Sequence, residues 1–378
     1  MNSHLQDLSA PFCALAHSDP TIASGGLHHY SPHGTLRAEV RTSLIHFRVT
    51  AKEQVLIKPE DCEFHFKPDS HWQWVETIAL PFSVPEANIN GIIYVLTRPM
   101  LGVCACDITI MDRITDLWEE QLYIDNQQHL PCPKSLLDFS LPNGLSVKAV
   151  EPLKRYQVSY EGIDDTRFTL DYVGLHEPYD INDPAMDPTA AKRNGSAWDS
   201  SWSGHYELTY HITGELVIRG KRYVIDCVDT GDRSWGPRPE RDNSPVIWWH
   251  ASFGRDLTVH LFTGHNIAET AEMGPHISGY ILEQDKLYGI TAARGIQEYR
   301  KLVPMGGELE VTDIRGKQSV FTYSTVNSCL WAPYPSNTYT QASMRVNHDG
   351  KRGYGVQQMG LSRAYLTRHR DALRARYY

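Results

Sequence analysis

The run Asp229-Thr230-Gly231-Asp232-Arg233-Ser234-Trp235-Gly236-Pro237-Arg238 gathers two carboxylates three residues apart, two guanidiniums and an indole among glycines. A carboxyl against an apolar wall is pushed toward its neutral form and can act as a general acid, whereas one beside arginine stays ionised. Asp232 and Asp229 are therefore the candidate acids, with Arg233 and Trp235 as candidate ligand contacts. The same residue types also make a tight turn, with Asp accepting backbone N–H bonds, Arg pairing with Asp and Trp filling the core. Composition leaves both readings open.

A second cluster is Trp248-Trp249-His250-Ala251-Ser252-Phe253. In an extended chain side chains alternate, so Trp248 and His250 share one face and Trp249 and Ala251 the other. His260 and Phe262 share a face in the following run, and His265 sits in a Gly-His-Asn turn. Any one of these histidines can be structural. Three on consecutive strands and turns point to a polar spot in an apolar cavity, with His250 and His260 as proton acceptors and Trp248, Trp249, Phe262 and His265 as wall. Earlier in the chain, Trp72, Trp74 and Glu76 share a face, which fits a ligand wall or a core whose glutamate reaches a buried arginine.

These residues need strands to hold them. From His205, the residues Tyr206, Leu208, Tyr210 and Ile212 fall on one face and His205, Glu207, Thr209 and His211 on the other, a period of two. Arg219-Gly220-Lys221 reads as a turn into a strand over Tyr223–Asp226. Short alternating or apolar runs recur between Pro, Gly, Asn and Asp, among them 44–49, 72–82, 91–97, 103–110, 156–160, 168–172, 277–283, 308–313 and 320–326. That cadence predicts an all-β protein, and Asp349-Gly350 predicts a hairpin turn. Two helices are expected, over 112–123 and over 361–377, the latter with five arginines turned to solvent. The breaker-rich stretch from Glu177 to Ser203 suggests a division into an irregular N-terminal arm (1–34), a β domain (35–195) and a second β domain ending in a helix (196–378).

Thirty-six basic against 45 acidic side chains give a net charge of −9, which argues against nucleic acid as a partner. No apolar run reaches the roughly 20 residues of a membrane span. The first thirty residues lack a basic start followed by an apolar stretch, so a cytoplasmic location is expected, and seven scattered cysteines fit reduced thiols. Dinucleotide, phosphate-loop, nucleophile-elbow and His-Glu-x-x-His signatures are not found, so neither a cofactor nor a metal is required by the sequence.

The run from His205 through Ile212-Thr213-Gly214, Gly220 and Gly231-Asp232-Arg233-Ser234-Trp235-Gly236-Pro237-Arg238 resembles the lipocalin-like (calycin) superfamily of carotenoid 1,2-hydratase-type proteins, and more remotely the decalin-forming Diels–Alderases. The resemblance covers about Trp72 to Tyr94, which adds Tyr94 to the expected pocket wall, and about His205 to Phe262. It implies two lipocalin-like antiparallel barrels or half-barrels packed together, a short C-terminal helix, and an apolar pocket. Relatives usually carry Arg-Asp-His-Ser-Trp-Gly. Here Gly231 and Arg233 stand at the Arg and His positions, and an arginine stays protonated, so proton handling would move to Asp232, Asp229 or His250.

The expectation is an enzyme of lyase or isomerase/cyclase type acting on a hydrophobic, isoprenoid- or polyketide-like molecule of terpenoid or other secondary metabolism. It would carry out acid–base-assisted hydration, dehydration, isomerisation or cyclisation without a cofactor. A pericyclase or spirocyclase that works by folding its substrate, and a non-catalytic carrier of a hydrophobic ligand, are the alternatives. A homodimer is left open.

Overall fold

The computed structural model describes residues 57–193, 202–238, 245–266 and 272–377. The expected N-terminal arm and the expected strand over 44–49 lie outside the described residues. The first sheet holds β1 (Trp74–Val84), β2 (Ile89–Arg98), β3 (Val103–Met111), β4 (Tyr123–Pro131), β5 (Asp138–Ser140), β6 (Leu145–Glu151), β7 (Arg155–Glu161), β8 (Arg167–Gly174), β9 (Tyr179–Asp180), β10 (Gly204–Ile218) and β11 (Lys221–Pro237). Their order is β4-β3-β2-β1-β11-β10-β8-β7-β6-β5, with β9 added to β10.

The second sheet is a closed barrel of β12 (Val246–Ser252), β13 (Leu257–Gly264), β14 (His276–Glu283), β15 (Lys286–Arg300), β16 (Val303–Asp313), β17 (Gln318–Trp331), β18 (Asn337–His348) and β19 (Lys351–Ser362). Helices are short: α1 (Ala190–Arg193), α2 (Arg363–Arg368) and α3 (Arg370–Tyr377). This is the all-β half-barrel and barrel, with short C-terminal helices, that the strand cadence and the resemblance predict.

The sheets differ from the sequence reading in one respect. The boundary expected at 195/196 precedes β10, yet β10 and β11 lie in the middle of the first sheet, between β8 and β1. The change of sheet comes between Pro237 and Val246.

Two glycines explain how the central hairpin forms. Arg219 and Gly220 turn with φ of 48° and 78°, the left-handed pair that matches strand twist in a two-residue hairpin. Gly231, by contrast, is an in-strand residue. A Cβ there would lie 2.4 Å from the Ala79 carbonyl oxygen of β1, so the close approach of β1 to β11 admits only glycine. The patch around Asp232 is thus a strand segment paired on both sides, opposite Glu207 of β10 and Ala79 of β1, rather than a turn.

One face of the first sheet curls round its own core, which includes Ile78, Phe82, Ile93, Ile108, Tyr160, Phe168, Tyr206 and Leu208. The barrel interior is filled by Ile247, Trp249, Leu261, Ile281, Phe321, Met344 and their neighbours. Trp249, expected in the pocket wall, is therefore one of the packed side chains that fill the barrel interior. The other face of the first sheet packs against the outer wall of the barrel. Gln341 Nε2 donates to Asn90 Oδ1 at 2.6 Å, and Gln121 Nε2 to the Ser328 carbonyl at 3.0 Å, across this seam.

The segment 112–123 is not a helix. It holds only a 3-10 turn at Trp118–Glu120, while Ile114 bridges to Ser328 of the barrel. Thr115 Oγ1 accepts from the Leu117 N–H and donates to Glu120 Oε2, local bonds that compete with helix formation.

Candidate functional site

Along the seam, β10 and β11 present His205, Glu207, Thr209, Thr230 and Asp232 to the barrel, which answers with Trp248, His250, His260, Phe262 and Tyr280. Register places these residues together: Glu207 opposite Asp232, Thr209 opposite Thr230, and His250 opposite His260. All except Asp232 are buried.

The groups form two sets of close polar contacts. In the first, Glu207 Oε1 lies 2.7 Å from His205 Nε2 and 3.3 Å from His260 Nε2, and accepts the Trp248 indole N–H at 3.1 Å. His205 Nδ1 then faces Asp232 Oδ2 at 3.9 Å. Burial raises the Glu207 pKa and lowers that of His205. The Asp232 side chain keeps 17% of its surface exposed. Burial nonetheless pushes its pKa well above the usual carboxylate range, and the neighbouring Glu207 adds to that against the opposing Arg238 and Arg233.

In the second set, His250 Nε2 is 2.7 Å from Asp229 Oδ1. Its Nδ1 is 3.3 Å from Thr230 Oγ1, which is 3.1 Å from Thr209 Oγ1, itself 2.7 Å from the Tyr280 hydroxyl. Burial raises Asp229 to about 8 and drives His250 well below its ordinary value. The two groups thus meet with burial driving each toward its uncharged form, and Asp229 Oδ1 also accepts the Thr230 backbone N–H at 2.9 Å.

Asp232 opens on a cavity of about 50 Å³ lined by Ala79, Tyr94, Trp202, Thr230, Arg238, Trp248, Phe262 and Tyr339, among others. The Arg238 guanidinium donates to the Tyr334 hydroxyl at 2.8 Å and lies 5.1 Å from the Trp202 ring centroid. Burial works against that cation, but the phenols of Tyr334 and Tyr94 outweigh it. A volume of this size admits a water or the reacting end of a ligand, not a whole polyene.

Of the residues singled out in the sequence, Asp232, Tyr94, Trp248 and Phe262 meet in this cavity. His260 packs beside it with its ring centroid 5.1 Å from Trp248. Asp229 and His250 lie next along the seam. The others are elsewhere. Trp72 is 59% exposed. Glu76, Arg233 and Trp235 lie on the opposite face of β1 and β11, where Arg233 Nη2 binds Glu76 Oε2 at 2.5 Å and Trp235 stacks on His65 at 3.8 Å. Trp74 donates its indole N–H to Glu76 Oε1 at 3.0 Å. His265 faces Tyr299 with ring centroids 5.6 Å apart.

Sequence reasoning did not single out His205, Glu207, Trp202, Arg238 or Tyr339. The alternation on β10 had put His205 and Glu207 on one face, so a signal existed for those two. Nothing local marks Trp202 or Tyr339, which reach the cavity only through the packing of one sheet on the other.

Among the described residues, His205, Glu207 and Asp232 form one group whose ligand-type atoms all lie within 4.8 Å. Two of these atoms, His205 Nε2 and Glu207 Oε1, are 2.7 Å apart. Tetrahedral ligands at 2.0–2.1 Å from a zinc ion sit roughly 3.3 Å from each other, so the pair is spaced for a hydrogen bond. No helix among the described residues is long and apolar enough to cross a membrane.

Comparison with known proteins gives a family and a fold. The family described as "Domain of unknown function (DUF7064)" matches residues 58–360. No curated protein matches the chain in sequence. Among solved structures, kievitone hydratase from Nectria haematococca is similar, with a TM-score of 0.50 and 13% identity over 83% of this chain and 95% of that one. CghA, solved with Sch210972, has a TM-score of 0.45 and 12% identity over 76% of this chain and 89% of that one. The likeness to the hydratase bears out the lipocalin-like fold.

Proposed function

The chain belongs to the DUF7064 family, and on that scaffold we propose an acid–base enzyme acting on an apolar, oxygen-bearing or unsaturated molecule at the seam between the half-barrel and the barrel. The observation that carries this reading is the Asp232 carboxyl, which burial shifts toward its uncharged form, opening on an aromatic-walled cavity with His205 Nδ1, an imidazole nitrogen without a hydrogen-bond partner, 3.9 Å away.

In the hydration direction, Asp232 breaks its O–H bond and forms a C–H bond at one alkene carbon. The faces of Trp202 and Trp248 lie against the developing cation, each worth roughly 0.5–2 kcal/mol. Water adds to the other carbon, its proton passes to His205 Nδ1, and the imidazole returns a proton to Asp232. Dehydration runs the same steps backward: protonated His205 Nδ1 delivers its proton to the leaving hydroxyl, and the Asp232 carboxylate takes the proton from the adjacent carbon. Isomerisation or ring closure replaces water by proton loss or by attack of a second double bond. The hydratase with this fold is of the same reaction class.

Asp232→Asn tests the assignment. Positioned proton transfer contributes on the order of 10²–10⁴ in rate, so turnover of a polyene or tertiary-alcohol substrate, followed by product mass spectrometry, falls by at least about 10² while ligand binding persists. Turnover unchanged in Asp232→Asn removes Asp232 from the acid role and leaves a pocket that works by folding its substrate.

A further inference from the structure

The seam widens at its other end into a cleft of about 980 Å³ lined by Ser83, Pro85, His211, Asp226, Cys227, Val228, Ser252, Gly254, Arg255, Arg345, Val346, Asn347, Arg352, Gly353 and Tyr354. The strands that line the small cavity also line this cleft, a few residues further along: β1 with Ala79 then Ser83, β11 with Thr230 then Val228, β12 with Trp248 then Ser252, β19 with Gln358 then Tyr354. Four strand residues from Trp248 to Ser252 span about 13 Å. Between the two openings stand Asp229 and His250, joined at 2.7 Å.

The cleft has a charge opposite to that of the chain. Net charge overall is −9, yet Arg255, Arg345 and Arg352 converge on the cleft against one lining carboxylate, Asp226, and that carboxylate is paired with His211 at 2.7 Å. Arg345 is held in place. It donates to the Pro85 carbonyl and, at 2.8 Å, to Asn88 Oδ1, and its guanidinium lies 5.5 Å from the Tyr354 ring centroid. Arg255 and Arg352 are exposed, and their side chains make no hydrogen bond or ion pair among the described residues. A guanidinium fork binds carboxylate and phosphate oxygens in pairs. Val228, Val346, Pro85 and Tyr354 supply an apolar wall beside these cations.

We propose that this cleft is the binding site for the anionic end of an amphiphilic ligand, an oxyanion on an apolar body, held by Arg255, Arg345 and Arg352. That this ligand is the substrate, its apolar end running along the seam toward Asp232, rests on the function proposed above. The anion site itself does not. The cleft supplies the volume that the cavity at Asp232 lacks, and a ligand volume of this size is typical of small-molecule sites.

Calorimetric titration of the full chain with dodecanoate, dodecanol and inorganic phosphate at low salt tests the site. Dodecanoate is expected to bind at least 10-fold more tightly than dodecanol and than phosphate, and the preference shrinks as salt rises. In the double variant Arg255→Gln/Arg352→Gln, checked for folding by circular dichroism, the preference for dodecanoate over dodecanol disappears. The single variant Arg255→Gln, expected to weaken it part-way, serves if the double variant does not fold. Equal affinity for dodecanoate and dodecanol, or wild-type discrimination in the arginine variants, overturns the proposal. Phosphate binding as tightly as dodecanoate overturns the amphiphilic ligand in favour of a free anion. Asp232→Asn is expected to leave dodecanoate affinity unchanged, which keeps failure of the acid assignment separate from failure of this site.

Discussion

Asp229 and His250 share a short contact while burial drives each toward its uncharged form, and the consequence can be measured. Asp229 has a folded-state pKa of about 8 against an ordinary 3.8. Below 3.8 both folded and unfolded chains hold the proton and the group is neutral in its effect. Between 3.8 and about 8 the unfolded chain releases the proton and the folded one keeps it, so the group costs stability increasingly as pH rises. Asp229→Asn retains a hydrogen-bond donor for His250 Nε2 and has no charge to lose. Its unfolding midpoint is expected to exceed wild type at pH 8, by on the order of 1 kcal/mol or more, with the gap closing near pH 4; denaturant melts at both pH values read this directly, and equal gaps would contradict it. Glu76 shows the opposite balance. Burial raises its pKa, but hydrogen bonds from His65 and the Arg233 cation outweigh that and hold it at about 2. At this scale the sequence was informative about residue type and poor about partner. The carboxylates near Arg233 were visible, as was the alternative of a glutamate meeting a buried arginine, which Glu76 fulfils. Which aspartate faced arginine and which faced an apolar wall depended on alternation within β11 and on β1, far away in the chain.

The hairpin of β10 and β11 is the element that sets the site. Its two-residue turn and its close approach to β1 fix the register that puts Asp232 opposite Glu207. Gly231→Ala introduces a methyl 2.4 Å from the Ala79 carbonyl oxygen, a clash with backbone that no rotamer relieves. We expect a loss of about 1–3 kcal/mol in urea unfolding, together with reduced turnover because the neighbouring Asp232 shifts. A stability equal to wild type would mean that β1 can move away freely. Strand periodicity and turn chemistry were readable here because both are local. Asp349 and Gly350 turn with φ of 46° and 76°, as an Asp-Gly hairpin should. The failed helix at 112–123 shows the limit: polar side chains bonding their own backbone and a bridge from Ile114 to the barrel overrode a helical pattern.

For the described molecule as a whole, the two sheets are stitched by buried polar bonds as well as by apolar contacts. Asn327 and Gln341 of the barrel reach Asn88 and Asn90 at the start of β2, and Trp331 of the barrel packs with Met111 of β3. Gln341→Ala leaves the Asn90 amide oxygen without that partner in a buried setting, a cost of about 1–3 kcal/mol. Fluorescence and far-ultraviolet circular dichroism are expected to report one coincident transition in wild type. A barrel that melts separately from the first sheet would show that the seam does not couple them. None of this pairing was legible from periodicity, because faces that meet across a seam carry no common sequence spacing. The barrel closes when β19, its last strand, zips against β12, with Gln358 opposite Trp248 and Val356 opposite His250. The wall behind Asp232 therefore cannot be completed by a growing chain until residues beyond 350 have left the ribosome. During synthesis the histidines and indoles of β12 stay an unfinished edge until β19 has emerged to pair with them.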